Sequence, residues 1–142
     1  MRILVASLYF HPDHSGIALY SSDFAFYASQ LGHTVKVITG FPFYPNWKKN
    51  SKDKFIFFRK DIIDDVSIYR GFIYVPHTPT TFKRLIQEIT FLFSSIINII
   101  RCGPMDRIIL FTTPVSLGLL GCFYKFIFGS KLIINVQDFQ AE

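Results

Sequence analysis

The sequence has few cysteines, and this shortage excludes two kinds of site. Its two cysteines, Cys102 and Cys122, are far apart and fit neither the spacing of a zinc site nor that of a redox pair. Two isolated cysteines favour a reducing compartment, so we expect a cytoplasmic protein. A secretory signal is also lacking, because Arg2 is followed by a strand-like run and then by polar and proline residues.

Long apolar runs are lacking too. The most apolar stretches, residues 91–100 and 117–128, each fall short of the roughly 20 residues that cross a bilayer. We interpret both as packed helices, and attachment to one face of a membrane is compatible with this interpretation.

Acidic side chains are fewer than basic ones. The sequence has 10 Asp and Glu residues and 15 Lys and Arg residues, which gives a formal charge of +5. One predicted loop contains Lys48, Lys49, Lys52 and Lys54, and Lys83 and Arg84 begin a later helix. Such clusters attract membrane surfaces, phosphates or nucleic acids, although a solvated cationic loop is the simpler interpretation of the first one. We expect an anionic substrate or a membrane surface, and no nucleic acid.

Several catalytic motifs are missing as well. There is no Ser-His-Asp arrangement, no candidate cysteine nucleophile and no Gly-x-x-x-x-Gly-Lys-Ser/Thr loop. A dinucleotide-binding oxidoreductase is disfavoured, because the loop ending at Gly16 lacks Gly-x-Gly-x-x-Gly and the second predicted strand ends at Thr39 without an acidic residue. We keep this class as an alternative.

Apolar and aromatic side chains are what the sequence has in abundance. Half of the residues are hydrophobic, and 17 are Phe and 7 are Tyr. Such a composition excludes a disordered chain. It also indicates that some aromatic side chains face a partner domain, a ligand or lipid rather than water.

The first forty residues predict a strand, a loop, a helix and a second strand. Arg2–Ser7 is a buried type of strand, and Pro12 excludes a helix through the loop that follows. The helix begins at Gly16, and residues 34–39 form the second strand. One face of the helix carries an apolar stripe of Ile17, Tyr20, Phe24, Tyr27 and Leu31. A helix N-terminus above the carboxyl end of a strand favours anionic ligands, phosphates above all.

The rest of the chain alternates between strands and helices. Strands are predicted at residues 65–70, 72–75, 107–111 and 131–136, and helices at about 81–101 and at 115–128. The long helix has one apolar face, with Phe82, Leu85, Ile86, Ile89, Phe93, Ile96, Ile97 and Ile100. A second strip of Phe91, Leu92 and Ile99 makes this apolar surface wider than docking on one sheet requires, so a neighbouring helix or lipid is needed to cover it.

This alternation predicts an α/β fold, a Rossmann-like parallel sheet with helices on both faces. Polar or glycine-containing pairs follow three of the predicted strands, and they are Ser15-Gly16, Thr112-Thr113 and Gln137-Asp138. Ligands of open α/β sheets bind along the carboxyl ends of the strands. We therefore expect the functional site at this edge.

Four segments, residues 10–45, 79–96, 111–121 and 135–142, resemble in order and spacing the N-terminal domain of the retaining GT-B glycosyltransferases of family 4. The likeness is greatest to the branch that builds bacterial capsule, colanic-acid-like and O-antigen (lipopolysaccharide) polysaccharides. The resemblance implies two Rossmann-like domains that face each other, the first binding the acceptor and the second the sugar nucleotide. Residues 1–142 then correspond to a truncated acceptor-side domain, and the C-terminal donor-binding domain is absent.

The resemblance also implies roles for single residues. Gly16 matches the second glycine of a Gly-Gly loop whose backbone approaches the donor diphosphate or sugar, and a glycine kept for helix–sheet packing is the alternative. Ser15 replaces the first glycine. Gln137 and Asp138 lie where the family contacts the transferred sugar, although Asp138 suits a helix cap equally well. Catalytic residues are unassigned, with Asp138 as the one candidate.

Two further pairs are candidate substrate contacts. Thr112 and Thr113 suit contacts with the acceptor and are equally ordinary turn residues. His11 and His14 suit contact with an acceptor hydroxyl or a pyrophosphate. Chelation by these histidines is disfavoured because the sequence offers no third or fourth ligand, so we expect neither a metal nor another cofactor.

Taken together, the resemblance predicts transfer of a sugar from a nucleotide sugar to a saccharide acceptor linked to polyprenyl diphosphate, at the inner face of the cytoplasmic membrane. Catalysis would depend on positioning and on stabilising diphosphate charge between the two domains. We therefore expect the isolated chain to be inactive. A non-enzymatic membrane-interaction module is a further alternative.

Overall fold

A single mixed sheet organises the fold. The computed structural model describes residues 1–112 and 116–137, which form six strands, three α-helices and a short 3-10 turn. The strands are β1 (Arg2–Ser7), β2 (Thr34–Gly40), β3 (Phe58–Ile63), β4 (Val66–Gly71), β5 (Arg107–Thr112) and β6 (Lys131–Val136). The helices are α1 (Gly16–Gln30), α2 (Thr81–Cys102) and α3 (Leu117–Phe128). The predicted Rossmann-like α/β fold is confirmed.

The strand order is β3-β4-β2-β1-β5-β6, and every pairing is parallel except that of β3 with β4. Strand β3 was not predicted, because its residues (FRKDII) mix charged and apolar side chains without a buried run. Asp64 and Asp65 connect β3 to β4 with φ of 47° and 63°. Positive φ at both turn residues is the geometry that closes a two-residue hairpin, here without glycine.

The predicted strand over residues 72–75 is wrong, since β4 ends at Gly71. A side chain at Gly71 would begin with a Cβ atom 2.6 Å from Ser94 Oγ, so α2 passes too close for any larger residue. Just beyond, the Tyr74 N–H donates to Thr90 Oγ1 at 3.0 Å. The backbone after Gly71 therefore pairs with α2 and not with a strand.

The sheet separates two apolar cores. Because neighbouring side chains of a strand point to opposite faces, Ile3 and Val5 of β1 join one core, and Leu4 and Ala6 join the other. The first core contains Ala25 and Ala28 of α1, and the second contains side chains of α2 and α3. Helices therefore cover both faces, with α1 on one side and α2 and α3 on the other.

The apolar stripe predicted for α1 is largely on the wrong face. Tyr20, Tyr27 and Leu31 are exposed, whereas Ile17 and Phe24 are partly buried. The side that packs on the sheet consists of small residues, namely Ala18, Ser21, Ser22, Ala25 and Ala28. Small side chains allow the helix backbone to lie close to the sheet, which outweighs the burial of larger side chains.

The main apolar face predicted for α2 is also exposed. Phe82 and Ile100, near its two ends, are 70% and 71% exposed. The buried side combines small and polar side chains with a few apolar ones, and consists of Gln87, Phe91, Ser94, Ser95, Asn98, Ile99 and Cys102. Within the described ranges, α2 is the one helix long and apolar enough to cross a membrane, with 39% of its most apolar window buried in the protein.

Candidate functional site

The carboxyl ends of the parallel strands meet at one edge of the sheet. Ser7, the last residue of β1, pairs with Phe111 of β5, and Thr112 pairs with Val136 of β6. The strand order reverses between β1 and β5, since the chain crosses from β1 to β2 in one direction and reaches β5 in the other. Open α/β sheets bind ligands at such a reversal. The fold therefore has a strand-order reversal at the edge where the site is predicted.

The loop after β1 ends in a capped helix with open space in front of it. Ser15 caps α1, and its Oγ accepts the Ala18 N–H at 3.1 Å. A Cβ atom added to Gly16 would meet nothing within 4 Å. Packing between helix and sheet therefore does not require this glycine. The first-turn N–H groups of a helix have no carbonyl partner within the helix, so this end suits an anion.

The two candidate histidines lie exposed in the same loop. The His11 N–H donates to Ser22 Oγ at 2.8 Å, and its ring packs edge-on against Phe26. In the described part of the chain, no three His, Cys, Asp or Glu side chains come together as metal ligands. Contact of His11 or His14 with a substrate stays a prediction.

The remaining candidates lie at the ends of β5 and β6. The Thr112 hydroxyl donates to the Asn135 carbonyl at 3.2 Å, and Gln137 Nε2 donates to Asn135 Oδ1 at 3.1 Å. These contacts fix both side chains on the same edge as the loop after β1. Thr113 and Asp138 lie outside the described residues. Their proposed roles stay predictions, as do those of Thr112 and Gln137.

Asp13, between the two histidines, joins two loops of the site, a role that the sequence did not predict. Its carboxyl group is buried and accepts the N–H groups of Phe43 at 3.1 Å and Tyr44 at 3.3 Å. It thereby joins the loop after β1 to the loop after β2. Burial raises the pKa of Asp13 to about 7, against the opposing effect of the two N–H donors and of Arg70.

The raised pKa of Asp13 should make the stability of the fold depend on pH. Between the ordinary pKa of about 4 and the folded-state pKa of about 7, the folded protein holds a proton that the unfolded chain has lost. Stability should therefore fall as pH rises through this window and level off above it. Asp13→Asn, which does not titrate, should flatten the fall in thermal melts recorded across the window.

Asp106 gives a matched control for this experiment. It is exposed, and its hydrogen bonds with Arg2 hold the pKa of Asp106 below its ordinary value. Its titration therefore acts only below the window that Asp13 governs. Asp106→Asn should keep the slope of the unmodified protein between about pH 4 and 7. Equal slopes for Asp13→Asn and the unmodified protein would contradict the role given to Asp13.

The loop after β2 brings aromatic rings to the site. Tyr9 lies 5.4 Å from Phe43 and 5.9 Å from Tyr44, between ring centres, and Phe43 lies 5.4 Å from Trp47. The Arg84 guanidinium of α2 lies 5.5 Å from the centre of the Trp47 ring. Trp47 has φ of 51°, a conformation that is rare for a bulky residue. A signal for this cluster was present in the sequence, because a loop seldom carries several aromatic side chains unless they pack on each other or contact a ligand or a partner.

Tyr9, Tyr44 and Trp47, together with the first turns of α2, line a cavity of about 800 Å³, the aromatic cavity. Glu88 lies on its wall, and the Ser116 hydroxyl donates to Glu88 Oε2 at 3.4 Å. Burial raises the pKa of Glu88. The cavity therefore offers a carboxylate and aromatic faces beside the strand ends.

A second cavity of about 670 Å³, the lysine cavity, shares Trp47 with the first. Its wall includes Lys48, Lys49 and Lys54. The Lys49 ammonium lies 4.3 Å from the centre of the Phe72 ring, and burial lowers the pKa of Lys49. This part of the lysine cluster therefore lines a concave surface that suits an anionic group.

Comparison with known proteins shows that the sequence is similar to a curated relative. No protein-family model matches the chain. The chain is 29% identical, over 149 aligned positions, to a protein of Escherichia coli (strain K12) described as a putative colanic acid biosynthesis glycosyl transferase, WcaI. The alignment covers 100% of the chain and 35% of the relative. Along its whole length, the chain is thus similar to about a third of a glycosyltransferase of polysaccharide biosynthesis.

Proposed function

We propose that this chain is the acceptor-side half of a retaining GT-B glycosyltransferase of family 4. It would act in the synthesis of a surface polysaccharide of the capsule or lipopolysaccharide type, moving a sugar from a nucleotide sugar to a saccharide linked to polyprenyl diphosphate. The observation that carries the proposal is the similarity of the whole chain to a protein described as a glycosyltransferase. The Rossmann-like sheet, with its open carboxyl edge, is compatible with it.

The loop after β1 is the part of the chain that we assign to the donor diphosphate. The start of α1 supplies N–H groups and the positive end of a helix dipole, which favour negative charge. Gly16 leaves room for a phosphate to approach the backbone. Transfer would then depend on orientation and charge stabilisation, without a nucleophile from this chain.

A second, donor-binding half would complete the enzyme. The chain spans 35% of the length of the relative, so the matching protein has much more chain than the part described here. In β6, five of the six residues are exposed, including Ile133, Ile134 and Val136. An apolar edge strand is normally covered in native proteins, so further chain packing on β6 fits the proposal.

The exposed face of α2 suits the surface of the cytoplasmic membrane, at its inner leaflet. Phe82, Phe93 and Ile97 lie on this face, and Lys83 and Arg84 are at its beginning. Apolar side chains beside cations bind anionic lipid surfaces. An acceptor with a lipid tail would meet the enzyme there.

The substitution Gly16→Val tests whether the donor diphosphate binds at the start of α1. The added side chain would fill the space in front of α1, so we expect transfer to fall at least about tenfold, corresponding to about 1.4 kcal/mol. The melting temperature should change little, because within 4 Å the added Cβ meets no atom outside its own stretch of α1. The measurement is incorporation of labelled sugar from nucleotide sugars into extracted membrane lipid, with the protein purified from its natural source.

Two comparisons complete this test. Gln30→Val, at the other end of α1, should leave transfer unchanged, and the 142-residue chain alone should show no turnover. If no nucleotide sugar supports transfer while the protein still binds vesicles, a non-enzymatic membrane module is the better assignment. Equal transfer by Gly16→Val and the unmodified protein would remove Gly16 from the site.

A further inference from the structure

The aromatic cavity contains a buried amide without a partner. The Gln87 side chain is 3% exposed, and within the described ranges its Nε2 atom has no hydrogen-bond acceptor. Gln87 nevertheless lies on the cavity wall. An unpaired buried amide is costly, so native proteins seldom keep one without a reason. A ligand oxygen in the cavity would supply the missing acceptor.

The neighbouring groups define the chemistry of that ligand. Glu88, one residue further along α2, places a carboxylate on the same wall, so the cavity offers both a hydrogen-bond donor and an acceptor. Tyr9, Tyr44 and Trp47 supply aromatic surface. A pyranose ring has hydroxyl groups at its rim and C–H groups on its faces, and so matches this combination of amide, carboxylate and aromatic rings.

We propose that the aromatic cavity binds a pyranose ring of the saccharide acceptor, with Gln87 and Glu88 hydrogen-bonded to its hydroxyl groups and Trp47 and Tyr44 against its C–H face. This inference rests on the proposed function and names the acceptor subsite of that enzyme. Phe82 and Leu85 line the cavity and also belong to the exposed face of α2. The cavity is thus continuous with the surface assigned to lipid, as an acceptor joined to a lipid requires.

The position of Trp47 makes direct binding measurable, because the chain contains one tryptophan. Methyl glycosides of glucose, galactose, mannose and N-acetylglucosamine should change its fluorescence on titration, and at least one should show saturation-transfer NMR signals from its ring protons. Uridine monophosphate serves as the competing probe, since a nucleobase can also stack on an aromatic ring. Absence of any glycoside signal, or a response to the nucleotide alone, would overturn the proposal.

Gln87→Leu separates binding from folding. Because the Gln87 Nε2 atom has no partner in the described part of the chain, replacing the amide by an apolar side chain of similar size should leave stability equal or higher. Affinity for the responding glycoside should fall at least about tenfold, as expected when a hydrogen bond to the ligand is lost. Glu88→Gln, which keeps the size of the side chain, should also weaken binding. Unchanged affinity in both variants would refute the assignment.

Ser95 provides the matched control. It lies on the buried side of the same helix, and its hydroxyl is likewise buried without a partner in the described chain, yet it is not on the cavity wall. Ser95→Ala should leave glycoside affinity unchanged. Glycoside binding by the complete protein without sugar transfer would overturn only the proposed enzyme. Transfer by Gln87→Leu with an unchanged KM for the acceptor would overturn only the subsite.

Discussion

Replacing Arg70 by Met should lower the free energy of unfolding by about 3 kcal/mol, because three hydrogen bonds of a buried guanidinium are lost at about 1 kcal/mol each. The Arg70 side chain is buried, and its Nε donates to Asp61 at 2.8 Å. Its other nitrogens donate to the carbonyls of His11 at 2.7 Å and Gly40 at 3.4 Å. One guanidinium thus joins β4 to β3, to β2 and to the loop after β1. Urea denaturation measures the change.

Arg2 supplies the control for this prediction. Its guanidinium also pairs with a carboxylate, that of Asp106 at 2.9 Å, but both side chains are largely exposed. Exposed ion pairs contribute little, because water and salt already stabilise the separated charges. Arg2→Met should therefore hardly change the urea midpoint. Equal losses for the two variants would show that burial of Arg70 does not set its contribution.

The local loss of stability caused by Arg70→Met should be greatest at the candidate site. Asp61 retains a second partner, because Arg59 lies 3.0 Å from it, so the charge on β3 stays paired. The His11 carbonyl has no such replacement among the contacts described above. Hydrogen exchange should consequently increase more in the loop after β1 than in β5, on the other side of β1. Gly16 directly follows this loop, so the sugar transfer proposed for the complete enzyme should decrease in the same variant.

The sequence predicted those parts of the fold that depend on local patterns. The apolar runs of β1, β5 and β6 needed no tertiary information, and each was found to within a residue. The limits of α2 also have local causes, because the Thr80 hydroxyl accepts the Lys83 N–H and the Gly103-Pro104 pair stops the helix. The carboxyl edge followed in turn from the parallel order of the strands.

The orientation of α2 could not be predicted in this way. The strongest apolar face of a helix normally lies on the sheet. Here the contact with the sheet is made through Ser94 and Asn98, because Gly71 leaves room only for small or flat side chains at that point. The fit between Gly71 and Ser94 joins residues far apart in sequence. It becomes visible only once the two elements are in place.

The aromatic cavity escaped prediction for a related reason. Gln87 and Glu88 belong to α2, and Tyr44 and Trp47 belong to the loop after β2. No spacing along the chain connects the two pairs. Asp13 fixes the Phe43 and Tyr44 backbone beside the loop after β1, and the Arg84 guanidinium of α2 lies over the Trp47 ring. The strand ends that define the predicted edge could thus be read from the sequence, while the walls of the aromatic cavity required the structure.

The exposed face of α2 leads to the prediction with the largest effect on binding. Phe82, Phe93 and Ile100 are all about two-thirds exposed or more, at 70%, 68% and 71%. A lipid interface would cover them, at about 1 kcal/mol or more for each side chain. Changing all three to Ser should therefore reduce partition onto anionic vesicles by roughly 100-fold. Co-sedimentation with phosphatidylglycerol vesicles measures this partition.

Tyr20 and Tyr27 of α1 provide the control for vesicle binding. Each is 62% exposed, but α1 covers the opposite face of the sheet from α2. Their replacement by Ser removes exposed aromatic surface of similar size and should leave partition unchanged.

Binding of the unmodified protein to vesicles should also weaken with salt and with zwitterionic vesicles, because Lys83 and Arg84 contribute by charge. If the unmodified protein does not sediment with vesicles and instead dimerises through α2, the apolar face is a protein interface. The acceptor would then have to reach the cavity without help from the membrane.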